Sequence, residues 1–328
     1  MRVTIAHHTR IPVQTYGGTE RIMWWLGKEL VKMGHEVTYL VNPGSSCSFA
    51  KLQELRKNQS LNHQIPRDSD MVHLFFQPKE EISFPYLVTN QGNVPDKEKH
   101  IPLDQNTVFV SRNHAERHNA QCYVYNGIDV EDYGNPHLNL KRNYFHFLAK
   151  ATWRAKNLIG AIKLAQGSHE KLHVLGGSRW NPRMGINMLN PNLIFHGMTG
   201  GYKKNEVLSH SKGLLFPVLW HEPFGIAMIE SLYFGCPVFG TTYGSLPELI
   251  PKEVGFLSNK VEELIKALQN MSFDHSKCQQ YVLNNFTSGR MTKDYLNLYG
   301  KVLSEEKLNQ EAPTAAETKN EHLAITKF

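Results

Sequence analysis

The sequence predicts an α/β protein built as two consecutive doubly wound domains, each a parallel sheet flanked by helices. Three observations lead there. The chain has 328 residues, enough for two domains at about 100–200 residues each. Its first forty residues read strand, loop, helix, strand, the βαβ unit of a parallel sheet. The same alternation resumes after the turn-rich, aperiodic stretch 127–141 (GIDVEDYGNPHLNLK), which marks the boundary. Domains are therefore expected at 1–135 and 136–304. Residues 305–328 are polar and poor in aromatics, and are expected to be mobile.

Each element has its own signal. Residues 2–6 open the chain with the β-branched run of a short strand, and a loop follows that ends in Gly17-Gly18-Thr19. From Glu20 the apolar positions Ile22, Leu26, Leu30 and Met33 recur at helical spacing, and Gly34 ends that helix. Residues 35–41 (HEVTYLV) form the next strand. Short apolar runs at 71–76, 86–89, 107–110 and 122–125 continue the pattern, while the polar stretch 43–69 reads as a surface excursion with one helix. Beyond the boundary, strands are expected at 144–148, 171–175, 192–196, 213–216 and 237–240, and helices at 156–166, 203–211, 224–234 and 261–271. Ligands of such sheets bind beyond the carboxyl ends of the strands, so the loops after strands should carry the chemistry.

Composition narrows the function classes. A hydrophobic fraction of 41% excludes wholesale disorder. No apolar run reaches the ~18–20 residues that span a bilayer, and MRVTIAHHTR does not read as a secretory signal. Cys47, Cys122, Cys236 and Cys278 are far apart, which suits neither a disulfide framework nor a zinc site and points to the cytoplasm. The net charge of +6 is uneven: residues 1–135 hold 14 Lys+Arg against 15 Asp+Glu, and residues 136–328 hold 22 against 15. A basic half suits a phosphorylated ligand or an anionic surface, and is equally an ordinary solvated face. With no Lys/Arg run and no aromatic ladder among the cations, no nucleic-acid partner is expected.

Three constellations stand on post-strand loops. Gly17 and Gly18 precede the first helix, where backbone N–H groups can approach a phosphate, although a tight turn explains a lone Gly-Gly equally well. Lys150 and Lys156, with Arg154 between them, flank the loop after the first strand of the second half and could neutralise a diphosphate; taken alone, lysines are common loop residues. Glu222 precedes a helix with Pro223 in its first turn, and Glu230 lies two turns further on among Met228, Ile229 and Leu232. A carboxylate on an apolar helix face is costly unless it is paired or holds a ligand, and two such acids suggest work on a sugar. Gly244-Ser245-Leu246-Pro247-Glu248 adds another acidic loop. Among 17 histidines, His7, His8, His73 and His221 fall near predicted strand ends. The dinucleotide fingerprint, the P-loop, H-E-x-x-H and G-x-S-x-G are all absent, so no resident cofactor, no bound metal and no serine nucleophile are expected.

Together these residues resemble the family 4 retaining glycosyltransferases of the GT-B fold (glycosyl transferases group 1), over most of the chain to about residue 300. The motifs are Tyr16-Gly17-Gly18-Thr19-Glu20-Arg21, Asn126-Gly127-Ile128-Asp129, the Lys150–Lys156 loop, Gly176-Gly177, and above all Glu222-x7-Glu230 with its Pro-Phe-Gly and Gly-Cys-Pro-Val context. The resemblance implies two Rossmann-like domains facing across a cleft, the first on the acceptor side and the second on the donor side. It implies a metal-independent, hexosyl-type transferase moving a sugar from a nucleoside-diphosphate sugar to an acceptor hydroxyl, in polysaccharide, lipopolysaccharide or glycoconjugate synthesis. By the same resemblance Glu230 holds the ribose, Glu222 the donor sugar, and Lys150 and Lys156 the diphosphate. Backbone groups of Phe224 and Gly225 meet the donor, the base lies against residues 196–199, and Gly17-Gly18 closes over the diphosphate. Lys150 stands where the family carries Arg, which keeps the charge and loses the bidentate fork. Gln91 stands where the family carries a His, and it cannot shuttle a proton. A sugar, glycan or lipid-linked acceptor, and peripheral contact with the inner face of a membrane, follow from the family. The sequence leaves open two rivals: a nucleotide-sugar epimerase, and a catalytically silent sugar-nucleotide or glycan-binding module.

Overall fold

The computed structural model describes residues 1–13, 17–180, 187, 189–315 and 323–325. The chain forms two compact units, each α/β. The first comprises Met1–Val13, Gly17–Asp129 and Phe286–Thr318; the second is chiefly Val130–Asn285. The last long helix therefore belongs to the first unit, and not to a second domain running on to residue 304 as expected from the sequence.

The first unit holds six parallel strands: β1 (Arg2–His7), β2 (Glu36–Val41), β3 (Lys51–Glu54), β4 (Met71–Leu74), β5 (Tyr86–Asn90) and β6 (Thr107–Phe109). Their spatial order is β3-β2-β1-β4-β5-β6. The order reverses between β1 and β4, so a crevice opens beyond their carboxyl ends. Helix α1 (Gly18–Lys32) lays Ile22, Leu26 and Leu30 into the core, as the spacing predicted, and Met23 and Trp25 with them, while Met33 is its C-cap; no side chain caps its N-terminus. The excursion 43–69 contains the exposed edge strand β3 as well as a short helix, α2 (Leu61–Gln64). Residues 122–125, expected as a strand, make only an isolated bridge from Tyr123 to Phe109; the helix α3 (Arg112–Glu116) lies between.

The second unit repeats the plan with β7 (Tyr144–Leu148), β8 (Leu172–Leu175), β9 (Leu193–Phe195), β10 (Ser211–Phe216), β11 (Val238–Gly240) and β12 (Gly255–Leu257). Their order is β12-β11-β10-β7-β8-β9, the first sheet's arrangement again, with the reversal between β7 and β10. Helices α4 (Leu158–Gly167), α5 (Gly201–Ser209), α6 (Ile226–Tyr233), α7 (Leu246–Leu249), α8 (Val261–Asn270) and α9 (His275–Asn285) complete it. The core is apolar and tightly enclosed, with Phe145, Phe147, Leu172, Val174 and Leu215 under α4 and α8.

Helix α10 (Ser288–Leu303) packs on α1 in the first unit. Its Tyr295 and Tyr299 hydroxyls join a buried chain: His73 bonds Tyr299 at 2.8 Å and Thr89 at 2.7 Å, and Thr89 bonds Tyr295 at 2.9 Å. His73 is thus a core residue and not a cleft group, and burial pushes it down to about 3, so it is neutral. The tail behind α10, expected to be mobile, is docked through residue 314. Asn309 donates 2.8 Å bonds to the carbonyls of Gln105 and Thr107, and Thr314 N–H donates to His118 O at 3.0 Å. Within the second unit, Leu323 N–H donates to Leu219 O at 2.9 Å.

Candidate functional site

The loops after β7 and β10 meet at the reversal of the second sheet. Leu219 N–H donates to Ala155 O at 2.7 Å, and the Asn157 amide donates to Pro217 O at 2.8 Å. Asn157 adopts a left-handed conformation and caps α4, its Oδ1 accepting from Gly160 N–H at 2.9 Å. Lys156 sits in the 3-10 turn before this cap (Arg154–Lys156), not at the start of the helix as expected. The stitching brings Lys156 Nζ to 2.5 Å from Glu222 Oε2, with both residues buried. Trp220 Nε1–H donates to the same oxygen at 2.7 Å. The ammonium also lies 5.2, 5.3 and 4.6 Å from the ring centres of Trp153, Phe216 and Trp220. These aromatic faces hold the cation where water is scarce.

The Glu222 loop is held from behind. Ser245 N–H donates to Glu222 O at 2.9 Å and Gly244 N–H to His221 Nδ1 at 3.2 Å, which accounts for His221. Gly244 has φ +66, and a Cβ there would overlap the Glu222 backbone. Only glycine fits that approach. Phe224 is buried and Gly225 starts α6, whose first turn has no side-chain cap. A helix end of this kind favours an anion.

Glu230 is buried on α6 and meets different partners. Lys204 Nζ lies 2.6 Å from Oε1, and the Tyr133 hydroxyl donates to the same oxygen at 2.5 Å. Lys204 stands 4.7 Å over the Tyr133 ring. Each carboxylate thus has its own lysine. Sequence reasoning missed Lys204, Tyr133 and Trp220. Lys204 had a signal: it shares the face of α5 that Val207 and Leu208 bury, three and four residues on. Tyr133 lies in the aperiodic stretch and had none. Lys150 lies exposed in the loop after β7. That loop is tied to the next, since Ala151 N–H donates to Gly176 O at 2.8 Å, and Gly176, at φ +120, leaves room for Ala149 O.

Buried ion pairs are poor sources of stability, because desolvation of two charges offsets most of their attraction. Glu222 lies on the loop after β10 and Glu230 on the helix that follows it, so two such pairs stand close in sequence. Among the described residues no group of three or more His, Cys, Asp and Glu is placed to hold a metal ion.

In the first unit, Gly17 and Gly18 precede and open α1, while Tyr16 of the same motif lies outside the described residues. Gln91 and Asn126 form a reciprocal amide pair, with Nε2 to Oδ1 at 3.0 Å and Nδ2 to Oε1 at 2.9 Å. Asp129 is buried against Lys28 at 2.5 Å. Loops beyond β1, β4 and β5 line an open cavity of about 1170 Å³ that reaches Gln91.

Residues 145–274 match the family model described as "Glycosyl transferases group 1". The match spans most of the second unit, including both carboxylates and Lys156. No curated protein matches the chain. Solved structures match over nearly all of it. AviGT4, a glycosyltransferase involved in avilamycin A biosynthesis, is 18% identical at a TM-score of 0.75, covering 93% of this chain and 98% of its own. Sucrose-phosphate synthase from Thermosynechococcus elongatus is 16% identical at 0.73, covering 93% and 100%. HepE from Anabaena, solved in complex with UDP and glucose, is 12% identical at 0.68, covering 92% and 100%. At these identities the likeness is one of fold, and the fold is GT-B. The second unit accordingly carries a glycosyltransferase group 1 domain, and the chain is an enzyme of the glycosyltransferase kind. Among the described residues no helix is long and apolar enough to cross a membrane.

Proposed function

We propose that the protein is a retaining, metal-independent glycosyltransferase of family 4 that moves a hexose-type sugar from a nucleoside-diphosphate sugar to an acceptor hydroxyl. The observation that carries the reading is the Lys156–Glu222 pair beside the uncapped start of α6, at the strand reversal of the second sheet. Lys156 already neutralises Glu222, so a diphosphate can approach without facing a bare carboxylate. Lys150, on the same loop, supplies the second cation. The N–H groups at Phe224 and Gly225 supply dipoles where negative charge grows on the leaving group, the effect expected to dominate the barrier. Glu222 hydrogen-bonds hydroxyls of the donor sugar. Glu230, set by Lys204 and Tyr133, takes the ribose. In the first unit Gly17 and Gly18 are assigned to the diphosphate, and Gln91 to positioning the acceptor.

The bond from the anomeric carbon to the diphosphate oxygen breaks as the acceptor oxygen bonds the same face. The acceptor's proton passes to the departing diphosphate oxygen. No carboxylate in the set is assigned as nucleophile. HepE, solved with UDP and glucose, supports a nucleotide-sugar donor. A sugar or glycan acceptor, free or lipid-linked, fits the same reading. The test is an NMR assignment of the glycoside formed from an α-linked donor, in EDTA. An α-linked product is expected; a β-linked product, a free epimer, or loss of turnover in EDTA would contradict the reading.

A further inference from the structure

The peptide groups that lead into the Glu222 loop lie beyond the end of β10, and each finds its partner elsewhere in the second unit. Pro217 O accepts from the Asn157 amide at 2.8 Å, and Val218 O accepts from the Thr241 hydroxyl at 2.7 Å. Leu219 N–H donates to Ala155 O at 2.7 Å, next to Lys156. The Leu219 carbonyl accepts at 2.9 Å from Leu323 N–H, far along the chain.

The following residues of that segment reach two further places. The Tyr243 hydroxyl donates to Ala324 O. Ile325 packs against the core cluster that contains Ala149, Leu158 and Phe239. Three consecutive residues thus engage the loop after β10, the loop after β11 and the core of the unit. These are the two loops that hold Glu222. Gly244 and Ser245, beside Tyr243, bond His221 Nδ1 and Glu222 O, and the Tyr243 ring stands edge-on to His221 with centroids 6.0 Å apart. Leu219 precedes Trp220, whose indole holds Glu222 Oε2 at 2.7 Å. Leu323, Ala324 and Ile325 carry no polar side chain, so they have nothing of that kind to offer a ligand. They act on the site through backbone bonds to its loops.

We propose that residues 323–325 are a clasp for the donor site: by bonding Leu219 and Tyr243 together they fix the spacing of the loops that set Glu222 and, through Ala155, Lys156. Leu323 and Tyr243 are positioning residues, and neither is assigned a contact with the ligand. The proposal rests on the transferase reading above, in which Lys156 and Glu222 serve a nucleoside-diphosphate sugar. Docking of the segment and binding of the nucleotide then favour each other by the same factor.

Dissociation constants of UDP, GDP and ADP are measured by titration calorimetry in EDTA. The proteins are the wild type, a chain lacking residues 323–328, Tyr243→Phe, Leu323→Pro and Leu323→Ala. The nucleotide that the wild type binds should bind the shortened chain about tenfold more weakly, within the range of coupling between two sites. Tyr243→Phe and Leu323→Pro each remove one hydrogen bond, so about twofold to tenfold weaker binding is expected of each. Leu323→Ala keeps the backbone N–H and should match the wild type. Urea midpoints without nucleotide should stay at the wild-type value, because a short segment that opens locally adds little to the global transition. A merely structural segment would lower the midpoint along with the affinity, and that result overturns the proposal. Unchanged affinity in the shortened chain or in Tyr243→Phe overturns it as well, and so does tighter binding by the shortened chain, which would make the segment an obstruction. A wild type that binds none of the three nucleotides overturns the transferase reading itself.

Discussion

Lys156 and Glu222 form the contact on which the functional reading turns, and single residues can test it. If the pair serves the donor, Lys156→Ala should lower turnover by about 10²–10³. It should also destabilise the fold by about 3–5 kcal/mol, because it strands a buried carboxylate. The double variant Lys156→Met/Glu222→Leu removes both charges. Denaturant titration should show most of the stability restored, while turnover stays lost. Recovery of turnover in the double variant would make the pair structural. At this scale the sequence was informative where a residue was chemically out of place. Glu222 beside a helix-starting proline and Glu230 among apolar neighbours were legible as acids that needed a partner, and each is buried against a lysine. Their partners were not: Lys204 and Tyr133 reach Glu230 from 26 and 97 positions away, and no local pattern announces such a meeting. His73 was misplaced for a related reason. The end of a strand lies near the crevice, but α10 closes over this one from more than two hundred positions further on.

Among elements, the loops proposed to carry the chemistry owe their shape to residues with no proposed part in it. Gly244 lets its loop lie against the Glu222 backbone. Gly244→Ala is therefore expected to shift Glu222 and reduce kcat by tenfold or more while leaving stability by denaturant titration within about 2 kcal/mol of wild type. Unchanged kcat would mean that the loop has slack. Alternation of apolar runs made nearly every buried strand legible, because β4, β7 and β10 are enclosed and read as short apolar segments. The exposed edge strand β3, KLQE, has no buried face and hence no alternation to read. The tail failed differently: its polar composition argued against a core, yet Asn309 and Thr314 bind backbone groups of the first unit, which composition does not register.

At the scale of the whole chain, the two units share one strand order and one further device, a buried neutral histidine in each sheet. His73 does this in the first. His146 does it in the second, bonded to Ser211 at 2.6 Å and Ser231 at 2.8 Å. Both are pushed by burial to about 3. The unfolded chain binds a proton on each near pH 6.5 and the folded chain does not. Their contribution is thus whole above about pH 6.5 and is lost as pH falls toward 3, at about 1.4 kcal/mol per pH unit for each histidine. Urea midpoints between pH 7 and 4.5 should fall accordingly, and His73→Asn should flatten the fall for the first unit. An unchanged slope would mean that His73 titrates normally. The repeated doubly wound plan itself was legible from the alternation of strands and helices. The return of α10 to the first unit was not, because it depends on contacts with α1 and β5 and not on any feature of its own sequence.

The central claim is that the second unit holds a nucleoside diphosphate through Lys156, Glu222 and Glu230. Thermal unfolding with UDP, GDP and ADP, each in large excess and with EDTA present, tests it most directly. At about 100 times its dissociation constant, a ligand should add about 2.7 kcal/mol and raise Tm by a few degrees. One of the three is expected to do so in the wild type and to fail in Glu230→Ala. No shift with any of them, or an equal shift in Glu230→Ala, would contradict it.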